Sequence, residues 1–257
     1  CAPYWMGEAA RLAEANGADI VDINMGCPAK KVTGGWAGSA LMRDLDHAIA
    51  LVEAAVAATN VPVTVKMRLG WDDSSRNAPE LARRAVDAGA QMITVHGRTR
   101  QQFYKGKADW RAITAVRAVG DFPLVANGDI HDVADARDCL DQSGADFVMV
   151  GRAALGRPWL VGEIGAALDG RAFRPLTLAE KLALACEHYE GLLALMGVAH
   201  GVRHARKHLA AYADDAVADG CEPDAELRRS LLTSDEPKQV LAALTGLFST
   251  DRNREAA

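Results

Sequence analysis

The 257-residue sequence has little cysteine, no long apolar run and no excess of positive charge. Its five cysteines (Cys1, Cys27, Cys139, Cys186 and Cys221) are scattered, with no Cys-x-x-Cys pair and no Cys/His cluster. That spacing excludes an ordinary zinc site and a secreted disulfide framework, so no metal is expected and a reducing cytoplasm is the simplest setting. No apolar run approaches the ~18 residues of a membrane span, and no signal peptide is visible. Lys plus Arg number 29 against 34 Asp plus Glu, a net charge of -5. The chain as a whole is therefore no generic polyanion binder, and any nucleic-acid contact needs a local basic patch. An initiator methionine is also missing. The chain opens on Cys1-Ala2-Pro3, and Met6 to Asn16 already reads as the helix of a unit whose strand is absent. The expectation is that the beginning of the protein precedes Cys1.

What is present is an ordinary globular composition, 49% hydrophobic and 25% charged, long enough for one large core. Up to about Gly170, short apolar runs alternate with amphipathic stretches. The expected strands are Ile20–Asn24, Val63–Met67, Met92–His96, Leu124–Asn127 and Phe147–Gly151, rich in Val, Ile and Met as in parallel strands buried on both faces. The expected helices between them are Ala37–Ala58, Ala78–Ala88, Asp109–Val119 and Asp132–Ser143. Asn16-Gly17-Ala18-Asp19, Ala88-Gly89-Ala90-Gln91 and Ser143-Gly144-Ala145-Asp146 share a phrase: a glycine ends a helix with positive φ and the chain turns into a strand. This is the punctuation of a barrel or a doubly wound sheet. From about Leu176 the strand pattern stops. Thr177-Leu178-Ala179-Glu180 is a capping box opening a helix to about Met196. Further helices are expected over Val198–Asp214, Asp224–Leu232 and Pro237–Phe248. The reading is an α/β domain over residues 1–170, an all-helical domain over 171–250 and a frayed tail over 251–257.

Every expected strand finishes in residues that make poor core. The first runs into Asn24 and then Cys27, pinned between Gly26 and Pro28. The second ends in Lys66 and Arg68, the third in His96 and Arg98, the fourth in Asn127, Gly128 and Asp129, and the fifth in Gly151 and Arg152. Carboxyl ends of parallel strands share one face, the face that carries the active site in (β/α)8 enzymes. Taken singly, each residue has a plainer reading. Cys27 can be a small buried filler, His96 a satisfied core histidine, and Asn127-Gly128-Asp129 a turn. Lys66 lies between Val65 and Met67, and an inward ammonium there calls for an anionic partner. Gly151-Arg152 before Ala153-Ala154-Leu155-Gly156 reads as a late-strand phosphate site.

These motifs, in this order, resemble the tRNA-dihydrouridine synthases. The resemblance runs from Asn24-Met25-Gly26-Cys27-Pro28-Ala29-Lys30-Lys31-Val32 through Val65-Lys66-Met67-Arg68 and Val95-His96-Gly97-Arg98-Thr99-Arg100. It continues through Tyr104-Lys105-Gly106-Lys107-Ala108-Asp109-Trp110, Asn127-Gly128-Asp129-Ile130 and Val150-Gly151-Arg152-Ala153 to Arg203-His204-Ala205-Arg206-Lys207-His208-Leu209. Lys30-Lys31 and the Tyr104 loop are most similar to the bacterial B-type branch. The resemblance implies a flavin-containing (β/α)8 TIM barrel, a helical tRNA-binding domain, FMN as cofactor and NADPH as electron donor. The reaction implied is reduction of the C5–C6 bond of particular uridines in tRNA. It implies Cys27 as the proton donor to uracil C5, and Lys66, His96, Asn127, Gly128, Asp129, Gly151 and Arg152 at the cofactor, the last two at its phosphate. Asn24 is implied at the uracil, Arg68 at flavin or substrate, and Arg98, Tyr104 and Lys105 at the substrate. Arg203, Arg206 and Lys207 supply the missing basic patch for tRNA phosphates. A monomer in the cytoplasm is expected.

The departure from the family is at the start. Eight strands make a barrel and only five are read here, so the first three, with an Ala-Pro-Met flavin loop and a glutamine, are expected before Cys1. Two rival readings stay open: an FMN barrel oxidoreductase acting on a small pyrimidine-like molecule, and a non-catalytic RNA-binding protein. A flavin-free phosphate-binding barrel lyase is a third.

Overall fold

The computed structural model describes residues 2–249; Cys1 and the expected tail at 251–257 lie outside the described residues. The chain divides into two compact units, with the break between Gly151 and Arg152.

The first unit runs α1 (Pro3–Ala15), β1 (Val21–Met25), α2 (Lys30–Thr33), a 3-10 turn (Gly38–Arg43), α3 (Leu45–Ala58), β2 (Val63–Arg68), α4 (Ala78–Asp87) and β3 (Met92–His96). It continues with a second 3-10 turn (Arg111–Ile113), α5 (Thr114–Arg117), β4 (Leu124–Asn127), α6 (Val133–Ser143) and β5 (Phe147–Met149). The helix expected over Ala37–Ala58 is broken at Asp44. That residue is non-helical (φ -143°, ψ 87°), and its carboxylate accepts the His47 N–H at 3.0 Å, which starts α3 afresh. The stretch expected as a helix over Asp109–Val119 is a 3-10 turn and a single α turn. Gly17, Gly89 and Gly144 all have positive φ, as their shared phrase predicts.

All five strands are parallel and pair in the order β1-β2-β3-β4-β5. Sequential order with crossovers of one hand puts the connecting helices on one face of the sheet, unlike the doubly wound alternative, where strand order reverses. The alternation along each strand agrees. Ile23, Met25, Val63, Val65, Met67, Ile93, Val95, Leu124 and Ala126 point one way and are all buried. They pack with Leu51, Val52 and Ala55 of α3, Leu81, Ala82 and Ala85 of α4, and Ala136 and Cys139 of α6 to form the core. The expectation of strands buried on both faces holds for the three middle strands, where Thr64, Arg68, Thr94, His96, Val125 and Asn127 on the opposite face are buried as well. It fails at the two edge strands, where Asp22 and Asn24 of β1 are exposed and Phe147 of β5 is 56% exposed.

The second unit begins with a 3-10 turn (Arg152–Ala154), followed by α7 (Leu160–Leu168), α8 (Leu178–Met196), α9 (Val198–Ala218), α10 (Ala225–Thr233) and α11 (Pro237–Ser249). The sequence reading has no counterpart to α7, whose Gly162 and Gly165 disguise it as a loop. The capping box at Thr177 and Glu180 is formed in both directions. Ala185, Tyr189, Val202, Leu209, Tyr212, Leu231, Val240, Leu244 and Leu247 make the core of this unit. Lys181 of α8 ties to Asp215 and Asp219 of α9 and lies 4.7 Å over the Trp159 ring.

The turn from α4 into β3 depends on Gly89. At φ +102° an added Cβ would lie 2.8 Å from Val56 Cγ1. Gly89→Ala is therefore expected to destabilise the protein by more than ~1 kcal/mol, because backbone strain and the clash add. Urea denaturation checks this; unchanged stability would contradict the assigned turn.

Candidate active site

The face of the sheet opposite the core gathers the strand-end residues. Register places Asn24 beside Lys66 and Lys66 beside Thr94, then Arg68 beside His96 and His96 beside Asn127. Because side chains alternate, Asp22, Asn24, Thr64, Lys66, Arg68, Thr94, His96 and Asn127 all project to this one face. The period-two spacing of Thr64, Lys66 and Arg68 in β2 marks this face in the sequence; Thr64, which donates to the Asp22 carboxylate at 2.7 Å, and Thr94 join the expected residues on it.

Cys27 sits at the carboxyl end of β1, partly exposed, on a backbone fixed from three sides. Asn24 Oδ1 accepts the N–H groups of Gly26 and Cys27, both at 3.0 Å. The Cys27 carbonyl accepts the Ser39 N–H (3.0 Å) and hydroxyl (2.8 Å). The Gly26 carbonyl accepts Arg68 Nε at 2.7 Å. Ser39 was not singled out in the sequence. Its approach needs Gly38, where a Cβ would meet the Cys27 carbonyl oxygen at 2.8 Å. Arg68, only 2% exposed, also gives Nη1 to the carbonyls of Thr99 (3.0 Å) and Phe103 (2.9 Å), and lies 5.7 Å over the half-exposed Tyr104 ring. Its guanidinium is thus spent largely on holding loops together.

Arg98 and Asp129 are similarly engaged. Arg98, 1% exposed, pairs with both oxygens of Asp129 (3.0 and 2.5 Å) and donates to the carbonyls of Lys105 and Gly106. Burial would raise the Asp129 carboxyl, but Arg98 and the Ala108 N–H hold it below the usual carboxylate range. This pair fastens the exposed Tyr104-Lys105 loop to the end of β4. Asn127 donates Nδ2 to the Met149 carbonyl at 2.7 Å. Gly128, at φ +121°, has no room for a Cβ, which would lie 2.8 Å from Ala108 Cβ and 3.3 Å from His96 Cε1.

Lys66 and His96 carry the unused capacity. Among the described residues no carboxylate forms an ion pair with Lys66, so the anionic partner expected from the sequence is not supplied by this unit. Burial, and then Arg68, push the Lys66 ammonium down, while Asp22 pulls it up. His96 is 8% exposed and its Nδ1 has no hydrogen-bond partner. Burial, then Arg68, Lys66 and Arg98, push its imidazole down to about 3, so the ring is neutral. A desolvated ammonium without an anion, an orphaned buried ring nitrogen and a glycine pressed close together suit a planar ligand rich in acceptors and negative charge, as a flavin is.

Gly151 ends the first unit and is exposed; Arg152, also exposed, opens the 3-10 turn that begins the second. In the second unit the basic cluster lies on α9, but its members differ. Arg206 Nη2 is paired with Asp235 (2.8 Å) and donates to the Thr233 carbonyl, fixing the start of the α10–α11 connection. His208 packs against the His188 ring at 4.7 Å and burial pushes it down. Arg203 and Lys207 are the exposed cations. Among the described residues no group of His, Cys, Asp and Glu could hold a metal ion, and no helix is long and apolar enough to cross a membrane.

A family model described as dihydrouridine synthase (Dus) matches residues 1–251. A probable tRNA-dihydrouridine synthase of Rhodobacter capsulatus is 53% identical over 98% of this chain and 75% of its own length. One of Rhizobium leguminosarum is 52% identical over 94% of the chain and 73% of its length. The tRNA-dihydrouridine synthase B of Xanthomonas axonopodis is 48% identical over 88% of the chain and 71% of its length.

A neutral His96 has a pH signature. Its folded-state pKa, about 3, lies below the ordinary 6.5, so the unfolded chain takes up a proton that the folded chain refuses. The stability associated with this residue is full above pH 6.5 and falls as pH drops toward 3. The His96 ring resonances should stay at their neutral positions from about pH 8 to about pH 5; a midpoint near the ordinary ~6.5 would contradict the assigned environment.

Proposed function

The chain belongs to the dihydrouridine synthase family, and we propose that it is the flavin-dependent oxidoreductase that reduces particular uridines of tRNA to 5,6-dihydrouridine. FMN is the flavin and NADPH the electron donor in this reading, and the protein works in the cytoplasm as a monomer. We read the five parallel strands as consecutive members of a (β/α)8 barrel with the polar face of the sheet inward; their sequential order supports this. Residues 171–250 are read as the tRNA-binding domain, and their exposed Arg203 and Lys207 favour a polyanionic substrate over a small pyrimidine.

The observation that carries the reading is Cys27, held by Asn24, Arg68 and Ser39 next to the Lys66–His96 face. When bound, a reduced flavin supplies the hydride that adds to uracil C6. Addition there leaves negative charge at C5 and O4, and the Cys27 thiol delivers the proton to C5. Asn24 uses Oδ1 to hold the Cys27 loop, which leaves its amide N–H groups for the uracil. Lys66 would hold the anionic edge of the flavin ring, and His96, Asn127 and Gly128 would line it. Arg68, Arg98 and Asp129 act as positioning residues, through the loops they fasten. The assignment of Gly151 and Arg152 to the flavin phosphate rests on the sequence resemblance alone. The target uridine has to leave the folded tRNA and enter this site by base flipping.

Cys27→Ala should lower the rate of dihydrouridine formation by about 10²–10⁴-fold. The visible flavin spectrum and tRNA affinity should stay as in the wild type. Retained turnover would remove Cys27 from the chemistry. For the basic helix, Arg203→Ala and Lys207→Ala should each reduce the slope of log K against log salt by about 0.7–0.9. Unchanged slopes would sink the tRNA assignment for α9.

A further inference from the structure

The connections that follow β1, β2 and β3 are joined by an alternating pile of rings and guanidinium groups. Arg43 lies 5.0 Å from the Trp36 ring and 4.9 Å from the Trp71 ring. Arg100 lies 4.6 Å from the other partner in the pile, Trp71, and 4.7 Å from the Phe103 ring. The sequence Trp36, Arg43, Trp71, Arg100, Phe103 thus crosses all three connections at the carboxyl ends of the strands, each contact within the ~6 Å reach of a cation–π interaction. Among the described residues neither arginine has a carboxylate partner, and Arg100 Nε is buried without a hydrogen bond. Positive charge is therefore held between aromatic faces and not neutralised, in a protein whose net charge is -5.

The two ends of the pile are unusual. Trp36 and Phe103 have φ of +53° and +51°, and Asp129 is the remaining non-glycine residue with positive φ among the described residues. A bulky side chain in that region is strained, and such strain collects where a site requires it. If the pile only stapled loops together, its ends would be expected to be covered. Trp36 is 51% exposed instead. It is also close to the chemistry. Gly38, two residues on, abuts Cys27, and Arg100 reaches Thr33 of the same connection at 3.4 Å.

We propose that Trp36 is a stacking platform for an unpaired nucleobase next to the uridine presented at Cys27. The proposal rests on the tRNA reading above. Flipping a uridine out of a folded RNA leaves a neighbouring base without its stacking partner, and an aromatic face backed by a guanidinium is the surface that receives it. Trp36 lines an open, shallow depression together with Arg43, Asp44, Asp46, Glu80 and Arg84. Asp46 and Glu80 are paired with Arg84, and the carboxylates in this lining disfavour a phosphate. A neutral ring fits it better than the RNA backbone does.

The test measures binding of a dihydrouridine-free tRNA transcript, and its reduction, by the full-length protein and its Trp36 variants. Trp36→Ala and Trp36→Leu should each weaken Kd about tenfold or more, Trp36→Phe should stay within about threefold, and the salt slope should be the same for all. Equal flavin content and melting temperature establish that the variants are folded. If Trp36→Ala does not fold, the Leu-against-Phe comparison decides the matter. Wild-type affinity in Trp36→Leu, or a lowered salt slope, would overturn the platform while leaving the enzyme reading intact. A wild-type protein that neither binds nor reduces tRNA would overturn the enzyme reading, and the platform with it.

Discussion

One buried guanidinium organises the candidate site. Arg68 rises from the end of β2 and joins the carbonyl of Gly26 on one side to those of Thr99 and Phe103 on the other. The connections after β1 and β3 are both fixed to it, and Cys27 lies on the first of them. Burial disfavours the charge, and the loop carbonyls supply the acceptors that a desolvated guanidinium requires. Position of the thiol therefore depends on a cation that need never touch substrate. Arg98 repeats the arrangement one strand along, with Asp129 as its counter-ion and the Tyr104 loop as its cargo.

The two faces of the sheet divide the work. One is uninterrupted aliphatic surface against the helices and carries the stability. The other carries nearly every polar strand residue of the unit, and the alternation of side chains along parallel strands in register makes the sorting automatic. Positive charge accumulates on this second face without protein anions to match it at Lys66. Burial first, and then the same charges, keep His96 neutral, so one residue offers a cation and its neighbour an uncharged ring on one face.

Much of this was legible in the sequence, because strand ends and helix-ending glycines are local signals. The positive φ at Gly17, Gly89 and Gly144, the capping box at Thr177 and the five parallel strands all follow from residues within a turn of each other. What residue type does not reveal is where each donor is spent. Arg68, Arg98 and Asp129 read as ligand contacts, yet the backbone and one another consume them. Arg206 reads as a phosphate contact, yet Asp235 pairs with it. Ser39 and the Trp36–Phe103 pile were missed for the same reason: their partners come from different connections, and no spacing along the chain brings them together.

The most direct test is a map of dihydrouridine in tRNA, by mass spectrometry, from cells lacking the gene and from the parent strain. The account predicts loss at one or a few positions and restoration by the wild-type gene, with the missing position naming the target uridine. An unchanged map would contradict it and bring a small-molecule flavin reductase to the front.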